Sequence, residues 1–185
     1  MLSLLKLTNQ RKYTLIVCAN GSGPLIARAR NELLARFLET EADYFLSVDS
    51  DIIFEPSILH ELIQADKPII SAHYVGVDER GKFPVANIRL QDGLLHKASY
   101  KTLGGRKGIK KVTAVGMGFC LIKREVLETL DPARGLLYPF AEVLDPETGQ
   151  TWGEDVTFCI RAAEAGFESF LDLDAKVDHL KLAIL

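Results

Sequence analysis

Apolar and polar positions along the chain fall into blocks that switch between two periods. Residues 13–19 (YTLIVCA) form a continuous apolar run rich in β-forming side chains, the pattern of a strand buried on both faces. Residues 20–24 (NGSGP) are loop chemistry. Helical spacing returns over 25–39 and predicts an inner face of Ile26, Leu33, Leu34, Phe37 and Leu38. Residues 44–48 (YFLSV) predict a strand that runs straight into Asp49-Ser50-Asp51, followed by a helix over 56–65 and a buried strand over 68–74. Leu2, Leu4, Leu5 and Leu7 predict a short helix ahead of all of these. Strand, helix, strand, helix, strand in this order favours a parallel sheet covered by helices.

The pattern changes in the middle of the chain. Residues 85–90 and 94–100 flank Gln91-Asp92-Gly93, and the Asp-Gly pair predicts a hairpin. A long strand over 111–122, a helix over 124–130 and a turn at 146–149 follow. A helix over 154–165 is stopped by Gly166, and a short strand is predicted over 167–171. With no repeat, linker or low-complexity tract, the expected architecture is one α/β domain over residues 1–185, its mixed, mainly parallel sheet flanked by helices in the Rossmann-like manner.

Composition narrows the classes. A chain of 185 residues with 48% hydrophobic and 25% charged residues has the profile of a folded globular domain. A formal net charge of -3 argues against a protein that neutralises nucleic-acid phosphates over a broad surface, so no nucleic-acid partner is expected. Cys18, Cys120 and Cys159 each sit in an apolar run, which predicts buried free thiols and a reducing compartment. The opening MLSLLKL has neither the basic start nor the cleavage site of a signal peptide, and no stretch approaches the ~18 apolar residues of a membrane span. A soluble, cytoplasmic protein is the expectation.

Five constellations carry candidate chemistry. Asp49 and Asp51 lie just past a buried strand, at the carboxyl edge where α/β sheets bind ligands, and hard divalent ions take one or two carboxylates together with substrate phosphates; a solvated turn is the ordinary alternative. Glu154 and Asp155 open a helix after Trp152-Gly153, either complementing its dipole or placing Asp155 as a general base with Glu154 orienting it. His179 follows Asp172, Asp174 and Asp178, company that suits a metal ligand, whereas His60, His73 and His96 read as structural. Arg30, in Ala29-Arg30-Asn31, is either a surface arginine or a group that reaches a nucleotide. The cationic run 101–111, with Gly104, Gly105 and Gly108, reads as a solvated loop or as a lid closing over a diphosphate.

In this order the pieces resemble the GT-A-fold glycosyltransferases of the family-2-like kind: Ala29-Arg30-Asn31, Asp49-Ser50-Asp51, Gly116-Met117-Gly118-Phe119, Glu154-Asp155 and His179. VGMGFCLIKREVLE and GEDVTFCIRAAEAGF resemble the acceptor-side strand and the catalytic helix of that family. The resemblance implies a transferase moving a sugar from a nucleotide-diphosphate donor, most often a UDP-sugar, to a hydroxyl acceptor (a sugar or a small molecule), with inversion and with donor hydrolysis as a competing reaction. It implies Mn²⁺ or Mg²⁺ held by Asp49, Asp51 and His179, and Asp155 as the base beside Glu154. It puts Arg30, Asn20, Asp49, Gly118 and Trp152 at the substrates. It also implies a minimal core without the family's usual first nucleotide-binding strand, leaving Asn20 and its loop to hold the base. Two other readings stand beside it. A haloacid-dehalogenase-like phosphatase would use Asp49 as nucleophile, although Ile53 stands where that class has Thr or Val. A non-catalytic sugar-nucleotide binding module would be told apart by Asp155→Asn.

Overall fold

The computed structural model describes residues 2–9, 12–19, 25–79, 81–131 and 138–180. Its helices are α1 (Leu2–Asn9), α2 (Ile26–Leu38), α3 (Ser57–Gln64), α4 (Arg124–Thr129) and α5 (Glu154–Glu164). The strands in chain order are β1 (Tyr44–Val48), β2 (Ile52–Ile53), β3 (Ile69–His73), β4 (Val75–Asp78), β5 (Gly81–Pro84), β6 (Ala86–Arg89) and β7 (Leu95–Lys97). They continue with β8 (Ile109–Val112), β9 (Ala114–Val115), β10 (Phe119–Lys123), β11 (Val143–Leu144), β12 (Thr151–Trp152), β13 (Ser169–Lys176) and β14 (Asp178–His179).

A five-stranded sheet in the order β1-β10-β3-β13-β8 carries the core. Side chains alternate across it with a period of two, so neighbouring residues feed opposite cores. Ile69, Cys120, Ile122 and Leu171 pack with Leu34 and Phe37 of α2, Val126 and Leu127 of α4, and Phe158 and Ala162 of α5. On the other face Ile70, Ala72, Phe119 and Leu121 pack with Leu7 of α1 and Ile58, Leu59 and Leu62 of α3. Helices on both faces of a mixed sheet are the expected α/β architecture, but one of the sheet's four neighbouring pairs is parallel, so the pairing is mainly antiparallel and not mainly parallel as expected. β1 and β3 run parallel, as their βαβ pattern requires, but β10 inserts antiparallel between them; β3 and β13 form the parallel neighbouring pair.

Three segments differ from expectation. Residues 14–19 form no strand, and Ile16 and Val17 are 60% and 56% exposed. Tyr13 and Leu15 instead dock on the α3 side of the core, where the Tyr13 hydroxyl meets His60 Nδ1 at 2.7 Å. An apolar run records affinity for apolar neighbours, not the availability of a strand edge. For the same reason Cys18 is exposed while Cys120 and Cys159 are buried, and Ile26 faces outward. The strand expected over 111–122 is cut into β8, β9 and β10, with Gly116-Met117-Gly118 between the last two. The strand expected over 167–171 reaches Lys176, with a bulge between Asp172 and Lys176 where the buried Asp172 carboxylate accepts the Asp174 and Ala175 N–H groups at 3.0 and 3.4 Å.

The hairpin at Gly93 joins β6 and β7 as expected, Gly93 taking φ 79° in the turn. Among the described residues no helix is long and apolar enough to cross a membrane.

Candidate active site

The carboxyl ends of β1 and β3 open onto one edge of the sheet, and the bare loop before β10 lies beside them. β1 delivers Asp49, whose N–H donates to the Gly118 carbonyl at 2.9 Å, so the turn carrying both aspartates is pinned to that loop. β2 then pairs antiparallel with β14 in the register His179↔Ile52, and Leu180 N–H donates to the Asp51 carbonyl at 2.8 Å. This ladder brings His179 Nε2 to 2.8 Å from Asp51 Oδ2.

Arg30, Leu34 and Phe37 occupy the buried face of α2, at helical spacing i, i+4 and i+7. The Arg30 side chain is therefore only 9% exposed, and its guanidinium forks between two carboxylates: Asp49 Oδ1 at 3.0 Å and Glu154 Oε1. Arg30 is thereby a strut linking α2, the end of β1 and the start of α5. Its neighbour Asn31 clamps the approach to α5, donating from Nδ2 to the Phe140 carbonyl at 2.7 Å and accepting the Phe140 N–H at 3.2 Å. Phe140 in turn stacks on Phe158 of α5.

Gly153 caps α5 in an extended conformation, and Glu154 and Asp155 fill its first turn, where they complement the helix dipole. Asp155 Oδ1 accepts the Val156 N–H at 2.7 Å. Burial, then the neighbouring Glu154 carboxylate, push the Asp155 carboxyl above its ordinary range, with Arg30 opposing. Trp152 is half-buried on β12, and its indole N–H has no hydrogen-bond partner among the described residues.

Tyr74, which follows β3, was not singled out by its sequence. Its buried hydroxyl accepts the Gly118 N–H at 3.1 Å, and its ring meets the His179 imidazole edge to face, centroids 5.6 Å apart at 82°. Burial first, then the charges of Asp49 and Asp155, raise its pKa, so it stays a neutral phenol. The one sequence signal for it is the Gly-x-Gly of β10's approach: a Cβ on Gly116 or Gly118 would lie 2.1 or 2.9 Å from the Tyr74 hydroxyl. Gly118 thus contributes backbone groups to the site's framework. His60, His73 and His96 have the structural partners expected of them, in Tyr13, Tyr100 and Asp92. The cationic run is anchored too, with Leu103 buried, Arg106 over the Tyr100 ring at 4.1 Å and Gly108 N–H on Asp174 at 2.9 Å. Asn20 lies outside the described residues.

Of the three residues expected to share a metal, two are brought together. Among the described residues no group of three or more His, Cys, Asp or Glu side chains is placed to hold a metal ion, and Asp49 turns one oxygen to Arg30. The remaining pair has donor chemistry that suits a cation: Asp51 Oδ2 and His179 Nε2 share a hydrogen bond at 2.8 Å, and a divalent ion held by both would take the place of its proton. One carboxylate and one imidazole leave the other positions to phosphate and water.

The Anp1 family matches residues 23–83, roughly a third of the chain and the stretch holding Arg30, Asp49, Asp51 and Tyr74. No curated protein matches the sequence. Among solved structures, A197 from STIV has a TM-score of 0.53 at 17% identity, over 100% of this chain and 90% of that one. GalNAc-T7 with UDP, GalNAc and Mn²⁺ has a TM-score of 0.53 at 13% identity, over 86% of this chain and 31% of that one. The fold is shared with a GT-A glycosyltransferase. The match spans under a third of GalNAc-T7, at an identity that speaks for the fold.

Proposed function

We propose that this chain is a glycosyltransferase that moves a sugar from a nucleotide-diphosphate donor, a UDP-sugar, to the hydroxyl of a sugar or small-molecule acceptor, with inversion. The observation that carries the reading is the Arg30 fork. One guanidinium fixes the Asp-x-Asp turn and the head of α5 together, so the candidate cation residues and the candidate base are held by a single strut. The fold shared with GalNAc-T7, a structure holding UDP, GalNAc and Mn²⁺, supports it, as does the Anp1 match over the Asp-x-Asp segment.

Asp51 and His179 would hold Mn²⁺ or Mg²⁺, which when bound supplies Lewis-acid stabilisation of the charge on a leaving diphosphate. Asp49, tethered through Oδ1, keeps Oδ2 for the donor side. Asp155 takes the acceptor's hydroxyl proton as the acceptor oxygen bonds to the anomeric carbon. The bond from that carbon to the diphosphate oxygen breaks, and its electron pair leaves on the diphosphate. Burial makes Asp155 a stronger base than an ordinary aspartate. Glu154 is engaged by Arg30, which supports Asp155 as the single base of one displacement with inversion.

A screen of nucleotide sugars for nucleoside-diphosphate release, with and without Mn²⁺, tests the proposal. Mn²⁺-dependent release from one donor, enhanced by an acceptor, is expected. Phosphate release from a generic phosphomonoester, indifferent to nucleotide sugars, would contradict it.

A further inference from the structure

We infer that Tyr74 is a positioning residue for the cation pair: its ring sets the His179 imidazole against Asp51, while its hydroxyl serves the loop at Gly118 beneath the turn carrying Asp49. The inference rests on the reading that Asp51 and His179 hold a divalent ion.

A metal-binding histidine is ordinarily aimed by a hydrogen bond from its second ring nitrogen to a carboxylate or carbonyl. His179 Nδ1 is buried and has no such partner among the described residues. The terminal torsion of an imidazole is broad and roughly two-fold, so something else must fix the ring plane. Tyr74 stands against it edge to face, at 5.6 Å and 82°, a geometry that aromatic quadrupoles favour.

The other end of Tyr74 is equally constrained. Its hydroxyl accepts the Gly118 N–H at 3.1 Å, and the Gly118 carbonyl accepts the Asp49 N–H at 2.9 Å. A continuous chain of contacts therefore runs from His179 through Tyr74 and Gly118 to Asp49. Gly116 and Gly118 leave the space the phenol fills, since a Cβ on either would press on its hydroxyl at 2.1 or 2.9 Å. The Tyr74 carbonyl accepts the Val85 N–H at 3.2 Å, which fixes its backbone as well.

Ring and hydroxyl have separable tasks, and two substitutions divide them. Tyr74→Phe keeps the ring against His179, and Tyr74→Leu removes it. The affinity for Mn²⁺ in the presence of UDP, read by electron paramagnetic resonance of the free ion, should stay within about twofold for Tyr74→Phe. It should fall about tenfold or more for Tyr74→Leu, the size of effect that loss of a group orienting a ligand produces. Gly118→Ala, which crowds the phenol without touching either cation residue, should weaken Mn²⁺ in the same direction and serves if Tyr74→Leu does not fold. Melting followed by circular dichroism establishes which variants are folded. Folded Tyr74→Leu or Gly118→Ala protein with wild-type Mn²⁺ affinity overturns the inference, as does Tyr74→Phe losing as much as Tyr74→Leu. Wild-type protein that binds no Mn²⁺ overturns instead the cation reading beneath it.

Discussion

His179 Nε2 lies 2.8 Å from Asp51 Oδ2 across 128 residues of chain. The contact follows from backbone pairing: β14 lies on β2, and Leu180 N–H bonds the Asp51 carbonyl. Buried Ile52 and Val177 hold that short ladder on the α3 side of the core. The pair itself is partly exposed, so as an ion pair it adds under about 1 kcal/mol. Its placement at the open edge of the sheet makes better sense as a site than as a brace.

Asp155→Asn should lower transfer by about 10²–10⁴-fold, the usual contribution of a general base, while donor binding is retained. In the wild type the acidic limb of the kcat/KM profile should lie above the ordinary aspartate range, because burial and Glu154 raise the carboxyl's pKa. Steady-state kinetics across pH check both. Unchanged turnover in Asp155→Asn removes Asp155 from the base role.

The same shift has a consequence for stability. With its folded pKa above its unfolded one, Asp155 holds in the folded state a proton that the unfolded state has released, so stability falls as pH rises through that window. Asn carries no such penalty. Asp155→Asn should therefore melt higher than wild type near neutrality, the gap closing below about pH 4, where both states of Asp155 are protonated. Paired thermal melts over this range read the difference directly.

Arg30→Met should destabilise the fold by about 1–3 kcal/mol, since it strands the mostly buried Glu154 carboxylate and releases Asp49. Arg30→Lys should restore only part of this, because one ammonium does not fork to two carboxylates as a guanidinium does. Denaturant midpoints of the two variants decide it. Lysine behaving as wild type would contradict the strut.

Gly116→Ala should cost about 1–3 kcal/mol through overpacking against the Tyr74 hydroxyl at 2.1 Å and Val85 Cγ1 at 2.6 Å. Combining it with Tyr74→Phe removes the nearer clash and should recover part of the loss. A double-mutant cycle measures that coupling, and strictly additive effects would contradict it.

The buried strands were legible in the sequence because their apolar runs are short and bounded. β1 matches its expected limits, and β3 falls inside its own. Residues 13–19 misled because Ile16, Val17 and Cys18 look like core in any window, and only the sheet's connectivity shows that they lie outside it. Asp49, Asp51, Asp155 and His179 were visible as chemistry at element ends. That Arg30 serves Asp49 and Glu154 depends on the rotation of α2 over the sheet, which spacing alone does not set. Tyr74 read as the end of a strand, and its contacts with Gly118 and His179 come from three separate segments.

Calorimetric titration of UDP into the protein, with and without Mn²⁺, on wild type, Asp51→Asn and His179→Ala asks whether that pair holds a cation for the diphosphate. UDP binding that depends on Mn²⁺ is expected in wild type, with the Mn²⁺ dependence lost in both variants. UDP binding that ignores Mn²⁺ in wild type, or variants that keep its full effect, would contradict it.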